Sequence, residues 1–216
     1  MERKKLELTM TPLEIEVKFY LPDPELIRGA IRESGAQYRG ETFERNIRFE
    51  DTDCSLIKKN ALLRLRKTDG KAELTYKAEP PEKNRDFKIH RELEITVSDF
   101  DTAEAILSEL GYRGKQVYEK YRETWSIKDA VLCLDQMPFG NFLEIEGRQE
   151  EIREIADSLG LDWDRRILFN YLAIFDRLKN ETALSFTDVT FENFRDVDID
   201  FAGFAGLFEA GGSPGD

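Results

Sequence analysis

The stretch that decides the fold is PLEIEVKFYLP, residues 12–22. Its side chains alternate without a break between apolar (Leu13, Ile15, Val17, Phe19) and charged (Glu14, Glu16, Lys18). A β-strand sends successive side chains to opposite faces, so this pattern predicts a strand with one apolar face and one charged face. The charged face either meets water or forms the first wall of an active site, and the other strands decide between these two interpretations.

The charge balance bears on the class of partner. Of the 216 residues, 35% are charged and the formal net charge is −12, whereas about 25% charged residues is typical of a soluble domain. Eight acids against one base, Arg195, give residues 180–216 a charge of −7, which leaves −5 for residues 1–179. This acidity argues against nucleic acid as a partner, because nucleic-acid phosphates are also negative.

The cysteines and the first ten residues give information about the cellular compartment of the protein. Cys54 and Cys133 are the only cysteines and are too few for a disulfide framework, so we expect a reducing cytoplasm. The stretch MERKKLELTM has no apolar run after its positive charges, and no segment approaches the ~20 apolar residues of a membrane span. We therefore expect neither a signal peptide nor a membrane partner.

Period-2 alternation and β-rich composition predict eight strands. They cover roughly residues 12–20, 43–50, 61–68, 72–79, 86–97, 116–127, 130–136 and 141–147. Asp69-Gly70 predicts a type I′ hairpin and Lys128-Asp129 a second tight turn. Because closing such strands into a barrel removes exposed edges, we predict an eight-stranded antiparallel β-barrel.

Helices fill the longer gaps, which makes the fold class α+β and mainly β. Helical patterns lie within residues 22–36, 98–112, 149–162 and 165–181. Asp23 is the expected N-cap of the first helix, and Ser98 or Asp101 that of the second. Glycines end the first three: Gly35, Gly111 and Gly160.

The chain divides into a barrel domain, residues 1–179, and an acidic tail, residues 180–216. The tail has six phenylalanines in an acidic, glycine-containing background. This composition predicts a largely disordered segment whose aromatic stretches dock on a protein partner or on the barrel itself. A dispensable, solvated tail is the simpler alternative.

Several strands keep charges of both signs on one parity and large aliphatic residues on the other. The amphipathic helices need an apolar surface to cover, so the apolar parity should face outward and the charged parity inward. The inward set then contains these acids and bases: Glu14, Glu16, Glu92, Glu94, Asp135, Glu144 and Glu146, with Lys18, Arg64, Arg66, Lys77, Lys120 and Arg122.

A charged barrel interior points to a ligand, because isolated buried charges are costly unless they are paired or bound. Guanidinium and ammonium groups from several strands suit a chain of phosphates. Clustered carboxylates without His or Cys partners suit Mg²⁺ or Mn²⁺ rather than zinc. The interior therefore predicts a site for a metal–triphosphate complex.

These motifs resemble the CYTH family, also called triphosphate tunnel metalloenzymes. Its hallmark ExExK is present as Glu14-Ile15-Glu16-Val17-Lys18. An ordered series follows: the RxR of LLRLRK, the lysine of LTYK, the ExE of RELEI, the KxR of EKYRE, the aspartate of LCLDQ and the terminal GNFLEIEG. The resemblance covers about residues 12–178 and leaves the tail unmatched.

The resemblance implies roles for the inward residues. Triphosphate binding falls to the basic set Arg64, Arg66, Lys77, Lys120 and Arg122. Divalent metal binding falls to Glu14, Glu16, Glu144 and Glu146. The remaining acids, Glu92, Glu94 and Asp135, either bind metal or form ion pairs. Lys18 either orients the attacking water or contacts phosphate.

Two activities occur in the family: hydrolysis of a phosphoanhydride in inorganic, thiamine or nucleoside triphosphate, and class IV cyclisation of ATP to cyclic AMP and pyrophosphate. They differ in the nucleophile, which is water or the ribose 3′-hydroxyl. This chain lacks the His-Phe pair that often precedes ExExK in the cyclases, so hydrolysis is the first prediction. A non-catalytic polyphosphate-binding module and a scaffold that recruits a protein through the tail are the alternatives.

Overall fold

The computed structural model describes residues 13–80 and 84–210, and within them the strands form a closed antiparallel barrel in the order β1-β5-β4-β3-β2-β6-β7-β8. The strands are β1 (Leu13–Leu21), β2 (Gln37–Glu50), β3 (Ala61–Thr68), β4 (Lys71–Ala78), β5 (Lys88–Val97), β6 (Arg113–Ile127), β7 (Ala130–Met137) and β8 (Gly140–Glu146). The helices are α1 (Pro24–Glu33), α2 (Ser55–Lys58), α3 (Phe100–Glu109), α4 (Gln149–Ser158) and α5 (Tyr171–Glu181). The predicted fold class and barrel are confirmed.

Some local predictions are wrong. β2 begins at Gln37 rather than 43, because its polar first residues pair with the long β6 across a bulge at Gly40. Asp99, not Ser98 or Asp101, caps α3 by accepting from the Thr102 amide. The turn after β3 does have two residues, but only Gly70 has positive φ, so it is not type I′.

The last helix also starts later than predicted, at Tyr171. Ile167 is already engaged elsewhere, since its backbone exchanges two hydrogen bonds with Lys18 of β1, at 2.7 and 3.1 Å. Asn170 then caps the helix by accepting from the Ala173 amide. The backbone pairing with β1 thus overrides the helical spacing of residues 165–170.

The outer face of β1, β7 and β8 is apolar and lies under helices, as predicted. Val17, Leu132 and Ile145 are each 0% exposed and belong to one core cluster. Ile31 of α1 and Ile152 of α4 complete this cluster from above. Burial of these side chains stabilises the barrel by about 1.5–3 kcal/mol each, and it leaves the opposite parity facing inward.

The described part of the acidic tail packs on the barrel. Val189 adds a short parallel bridge to β6, with its N–H 2.8 Å from the Val117 oxygen and its carbonyl 2.9 Å from the Glu119 N–H. That edge of β6 is available because β7 pairs with β6 only from Tyr121 onward. Phe208 is buried in the aromatic cluster around α5. Val189 and Phe208 thus lie against the barrel and α5, and the barrel is one of the two docking surfaces predicted for the tail. The predicted disorder of residues 180–216 stays a prediction.

Residues 1–12, 81–83 and 211–216 lie outside the described ranges. The signal-peptide expectation concerns residues 1–10 and therefore stays a prediction, and the last six residues of the predicted tail also lie outside. The domain boundary at residue 179 stays a prediction. In the part of the chain that is described, none of the helices combines the length and apolar character needed to cross a membrane.

Candidate active site

The barrel encloses a cavity of about 610 Å³. Nearly all the predicted site residues line it: Glu14, Glu16, Lys18, Arg64, Arg66, Lys77, Glu92, Glu94, Lys120, Arg122, Glu144 and Glu146. Asp135 lies behind this lining, 1% exposed, in contact with Lys120 and Arg122. The fold therefore brings the whole predicted set together, although the role of each residue stays a prediction.

Strand register gathers the carboxylates of β1 and β8. Glu16 lies opposite Glu146, and Lys18 lies opposite Glu144. Directly opposed residues on antiparallel strands share one face, with β carbons roughly 5 Å apart. Glu14, two residues before Glu16, projects to the same side, so this wall of the cavity is rich in carboxylates.

The ammonium group of Lys18 lies between two of these carboxylates. Its Nζ is 2.6 Å from Glu16 Oε1 and 3.2 Å from Glu144 Oε2. Burial alone would lower the pKa of Lys18, but Glu144 and Glu16 outweigh burial and raise it. In this arrangement the Lys18 ammonium group donates a hydrogen bond to Glu16.

Glu146 has a different environment. It forms no ion pair with any residue in the described ranges, and burial, followed by Glu14, Glu144 and Glu16, raises its pKa to about 7. Burial and Glu16 also raise the pKa of Glu14, even though Lys77 Nζ is 2.7 Å from Glu14 Oε1. Nearby cations thus neutralise the negative charges of Glu14 and Glu146 only in part.

These donors fit a hard divalent cation. All are carboxylate oxygens, which Mg²⁺ and Mn²⁺ prefer, and burial together with three neighbouring carboxylates raises the pKa of Glu146. Within the described residues, no three acidic, His or Cys side chains are already arranged as a metal-binding group. Binding would therefore require the carboxylates to leave some of their present ion pairs.

Asp135 organises the cations of β6. Its carboxylate accepts from Arg122 at 2.6 and 2.5 Å and from Lys120 at 2.9 Å. The hydroxyl of Tyr171, from α5, donates to the same carboxylate at 2.7 Å. Burial would raise the pKa of Asp135, but Arg122 and Lys120 lower it. Of the two predictions for Asp135, its contacts match the ion pair.

The cations of β3 and β4 are also held by carboxylates. Arg64 Nη2 lies 3.0 Å from Thr75 Oγ1 and 3.5 Å from Glu94. Lys77 Nζ lies 3.2 Å from Glu92, as well as close to Glu14. Glu92 and Glu94 thus contact cations, which agrees with the ion-pair alternative for these two acids.

Arg66 reaches toward β2 instead, to Asn46 Oδ1 at 3.1 Å and Glu44 Oε2 at 3.3 Å. Sequence analysis missed this part of β2. Glu44, Asn46 and Arg48 share the inward parity, as the alternation in FERNIRF could have indicated. Tyr171 was also missed, and no strand parity could have found it because it comes from a helix.

His90, the only histidine in the chain, also lines the cavity. Burial, followed by the charge of Lys88, lowers the pKa of His90 to about 3. Its Nδ1 atom is buried and has no hydrogen-bond partner among the described residues. The imidazole is therefore neutral and adds no positive charge to the cavity at neutral pH.

The family model described as CYTH domain matches residues 12–168. The match covers well over half of the chain, and the chain belongs to the CYTH family. It includes β1 through β8 and ends within the segment that leads to α5, so it contains every predicted site residue.

Three known proteins show what this chain is similar to. It is 25% identical over 173 residues to "Putative adenylate cyclase MJ0240" of Methanocaldococcus jannaschii, which covers 75% of this chain and 98% of the relative. The solved structure of PH1012 protein from Pyrococcus horikoshii superposes with a TM-score of 0.62 at 29% identity, covering 73% of this chain and 96% of that one. HpAC1 of Hippeastrum, described as a "putative adenylyl cyclase" with a dominant triphosphatase activity, superposes with a TM-score of 0.56 at 18% identity, covering 76% and 95%. The last likeness concerns the fold alone.

Proposed function

We propose that this protein is a divalent-metal-dependent enzyme that hydrolyses a phosphoanhydride of inorganic, thiamine or nucleoside triphosphate. The observation that carries the proposal is the division of one cavity into two walls. Most cations come from β3, β4 and β6 and form one wall, the carboxylates Glu14, Glu16, Glu144 and Glu146 of β1 and β8 form the other, and the ion pairs Lys77–Glu14 and Arg122–Glu144 join the two. Membership of the CYTH family supports enzymatic processing of a triphosphate.

The cationic wall suits the phosphates. Arg64, Arg66 and Arg122 present planar forks that can bind two phosphate oxygens at once, and Lys77 and Lys120 add compact charges. Each of these cations now contacts a carboxylate, which keeps it in place inside the barrel. Entry of the triphosphate would exchange part of these ion pairs for phosphate contacts.

The carboxylate wall would hold Mg²⁺ or Mn²⁺ through Glu14, Glu16, Glu144 and Glu146. When bound, such a cation neutralises charge on the phosphates and on the leaving group. Lys18 lines the cavity beside Glu16 and Glu144, so its part would be to donate to a phosphate oxygen or to the oxygen of the attacking water.

Adenylate cyclisation is the second candidate, and the name of the M. jannaschii relative favours it. The absence of a His-Phe pair before ExExK in this sequence favours hydrolysis. Both reactions use the same phosphate-binding residues and differ in the nucleophile.

We propose a reducing cytoplasm as the cellular location of the protein, since Cys54 and Cys133 are both free.

The test is to incubate the purified protein with inorganic triphosphate, thiamine triphosphate or ATP, each with Mg²⁺ or Mn²⁺, and to separate the products. Release of orthophosphate that stops when the cation is chelated is the expected result. Formation of cyclic AMP from ATP would replace hydrolysis by cyclisation. Absence of turnover with all three substrates would leave a polyphosphate-binding module.

A further inference from the structure

Arg48 differs from the other cations that line the cavity. Seven of them lie within 4 Å of at least one carboxylate: Lys18, Arg64, Arg66, Lys77, Lys88, Lys120 and Arg122. Arg48 also lines the cavity, but within the described residues its guanidinium has neither an ion pair nor a hydrogen bond. Asp176, an acid of α5 that faces the same cavity, is not within ion-pair distance either.

The lack of a partner for Arg48 among the described residues matters because of the position of Arg48 in the sheet. Arg48 lies directly opposite Arg64 across β2 and β3, and like charges at opposed positions destabilise a sheet. Glu94 neutralises Arg64 only in part, because the two are 3.5 Å apart and the Glu94 side chain is 36% exposed. Arg48, with no carboxylate within ion-pair distance among the described residues, and Arg64, with one at 3.5 Å, therefore line the same cavity.

Two buried side-chain donors lie on the same two strands as these arginines. Arg64 Nε and Asn46 Nδ2 are buried and have no acceptor among the described residues. Asn46 precedes Arg48 by two positions, so it projects to the same side of β2, and it is 0% exposed. Buried donors are normally paired, so unpaired ones next to two arginines point to an anionic acceptor.

We propose that Arg48 and Arg64 together form an additional anion subsite that takes one phosphoryl group of the triphosphate. This proposal rests on the proposed function and deepens it. It makes Arg48 a further substrate-binding residue, which the family motifs in the sequence do not include. A tetrahedral phosphoryl group offers several acceptor oxygens to the two guanidinium forks and would remove the repulsion between them.

The first test measures the binding of inorganic tripolyphosphate by calorimetry, without divalent cation, to the full chain and to three variants. Arg48→Ala should weaken binding about 10-fold or more, because a charge-assisted contact is lost. Arg48→Lys should recover part of the affinity. Arg45→Ala is the matched control, since it removes the same charge from the outer face of the same strand and should change affinity by less than about 2-fold.

The second test separates ligand binding from a structural role by measuring thermal midpoints with and without tripolyphosphate. Without ligand, Arg48→Ala should keep or raise the midpoint, because it removes a like-charge contact. The upward shift that tripolyphosphate produces should be smaller in this variant than in the unaltered protein.

The outcomes are distinguishable from failure of the proposed function. If the unaltered protein binds tripolyphosphate and Arg48→Ala binds it equally well, the subsite is wrong while the proposed function stands. A clear loss of thermal stability in Arg48→Ala without ligand would also overturn the proposal. If the unaltered protein does not bind tripolyphosphate without divalent cation, the subsite is overturned, while the proposed function is decided by the metal-dependent turnover assay.

Discussion

The inner and outer faces of the barrel are built from the same strands but have opposite properties. On β1, Val17 is fully buried under the helices, while its neighbours Glu16 and Lys18 point into the cavity and are 2% exposed. On the outer face, packing of apolar side chains stabilises the fold. On the inner face, charges are held by one another and are available to a ligand. Changes on the outside should therefore reduce stability, and most changes on the inside should reduce activity.

Removal of the tail should have the largest effect, because it uncovers an apolar part of the molecule. A truncation after Thr182 deletes the side chains of Val189, Phe194 and Phe208, which are at most 8% exposed. Each such buried side chain contributes about 1.5–3 kcal/mol, so the thermal midpoint should fall markedly. A truncation after Ala210 keeps every described residue and is the control. An unchanged midpoint after Thr182 would instead support the dispensable tail.

Asp135→Ala is a change on the inner face of the barrel, but we expect it to reduce stability as changes on the outer face do. It leaves Arg122 and Lys120 buried without their main partner, and breaking a buried ion pair costs about 3–5 kcal/mol. Urea unfolding measures this loss. Asp129→Ala, at an exposed hairpin tip, should change the free energy of unfolding by less than about 0.5 kcal/mol. Equal stability of the two variants would show that Asp135 does not organise this wall.

Glu16→Gln should reduce activity far more than it reduces stability. The amide keeps the length of the side chain but loses the charge that a divalent cation needs, so turnover should fall by more than about 100-fold. The thermal midpoint should also fall, because Lys18 and Lys88 lose a buried negative partner, but the variant should still fold. Glu123→Gln is the control, because Glu123 is an ion-paired glutamate on the outer side of β6. Metal-dependent turnover that persists in Glu16→Gln would remove Glu16 from the metal site.

Arg66→Ala should weaken substrate binding and raise KM about 10-fold, because one charge-assisted contact to phosphate is lost. Lys67→Ala, the next residue on the opposite face of β3, should leave KM unchanged. Steady-state kinetics with inorganic triphosphate measure both variants. A parallel fall in kcat would show that Arg66 also stabilises charge that develops in the transition state.

The smallest effect concerns His90 and pH. Burial lowers the pKa of His90 to about 3, whereas an unfolded histidine titrates near 6.5. The unfolded state therefore binds the extra proton first, so the contribution of His90 to stability is complete above about pH 6.5 and is lost as the pH falls toward 3. The imidazole signals of the single histidine should stay constant from pH 8 to 5 in an NMR titration. A midpoint near 6.5 would contradict its burial.

The sequence by itself determined the barrel and most of its site. The strict alternation on β1 and β8 fixes which side chains share a face, since successive residues on a strand must point to opposite sides. The need of the helices for an apolar surface then fixes which face is inside. For this reason all the predicted charged residues lie in the cavity or directly behind it.

Only the tertiary structure decided which charges meet. Register between strands places Arg48 opposite Arg64 and, among the described residues, leaves Arg48 without a carboxylate partner; no single strand carries that information. Tyr171 reaches Asp135 because Ile167 pairs with Lys18 and delays the start of α5. The tail docks because β7 leaves part of β6 without a partner. These features depend on contacts between residues that are distant in the chain, whereas alternation along a strand is local.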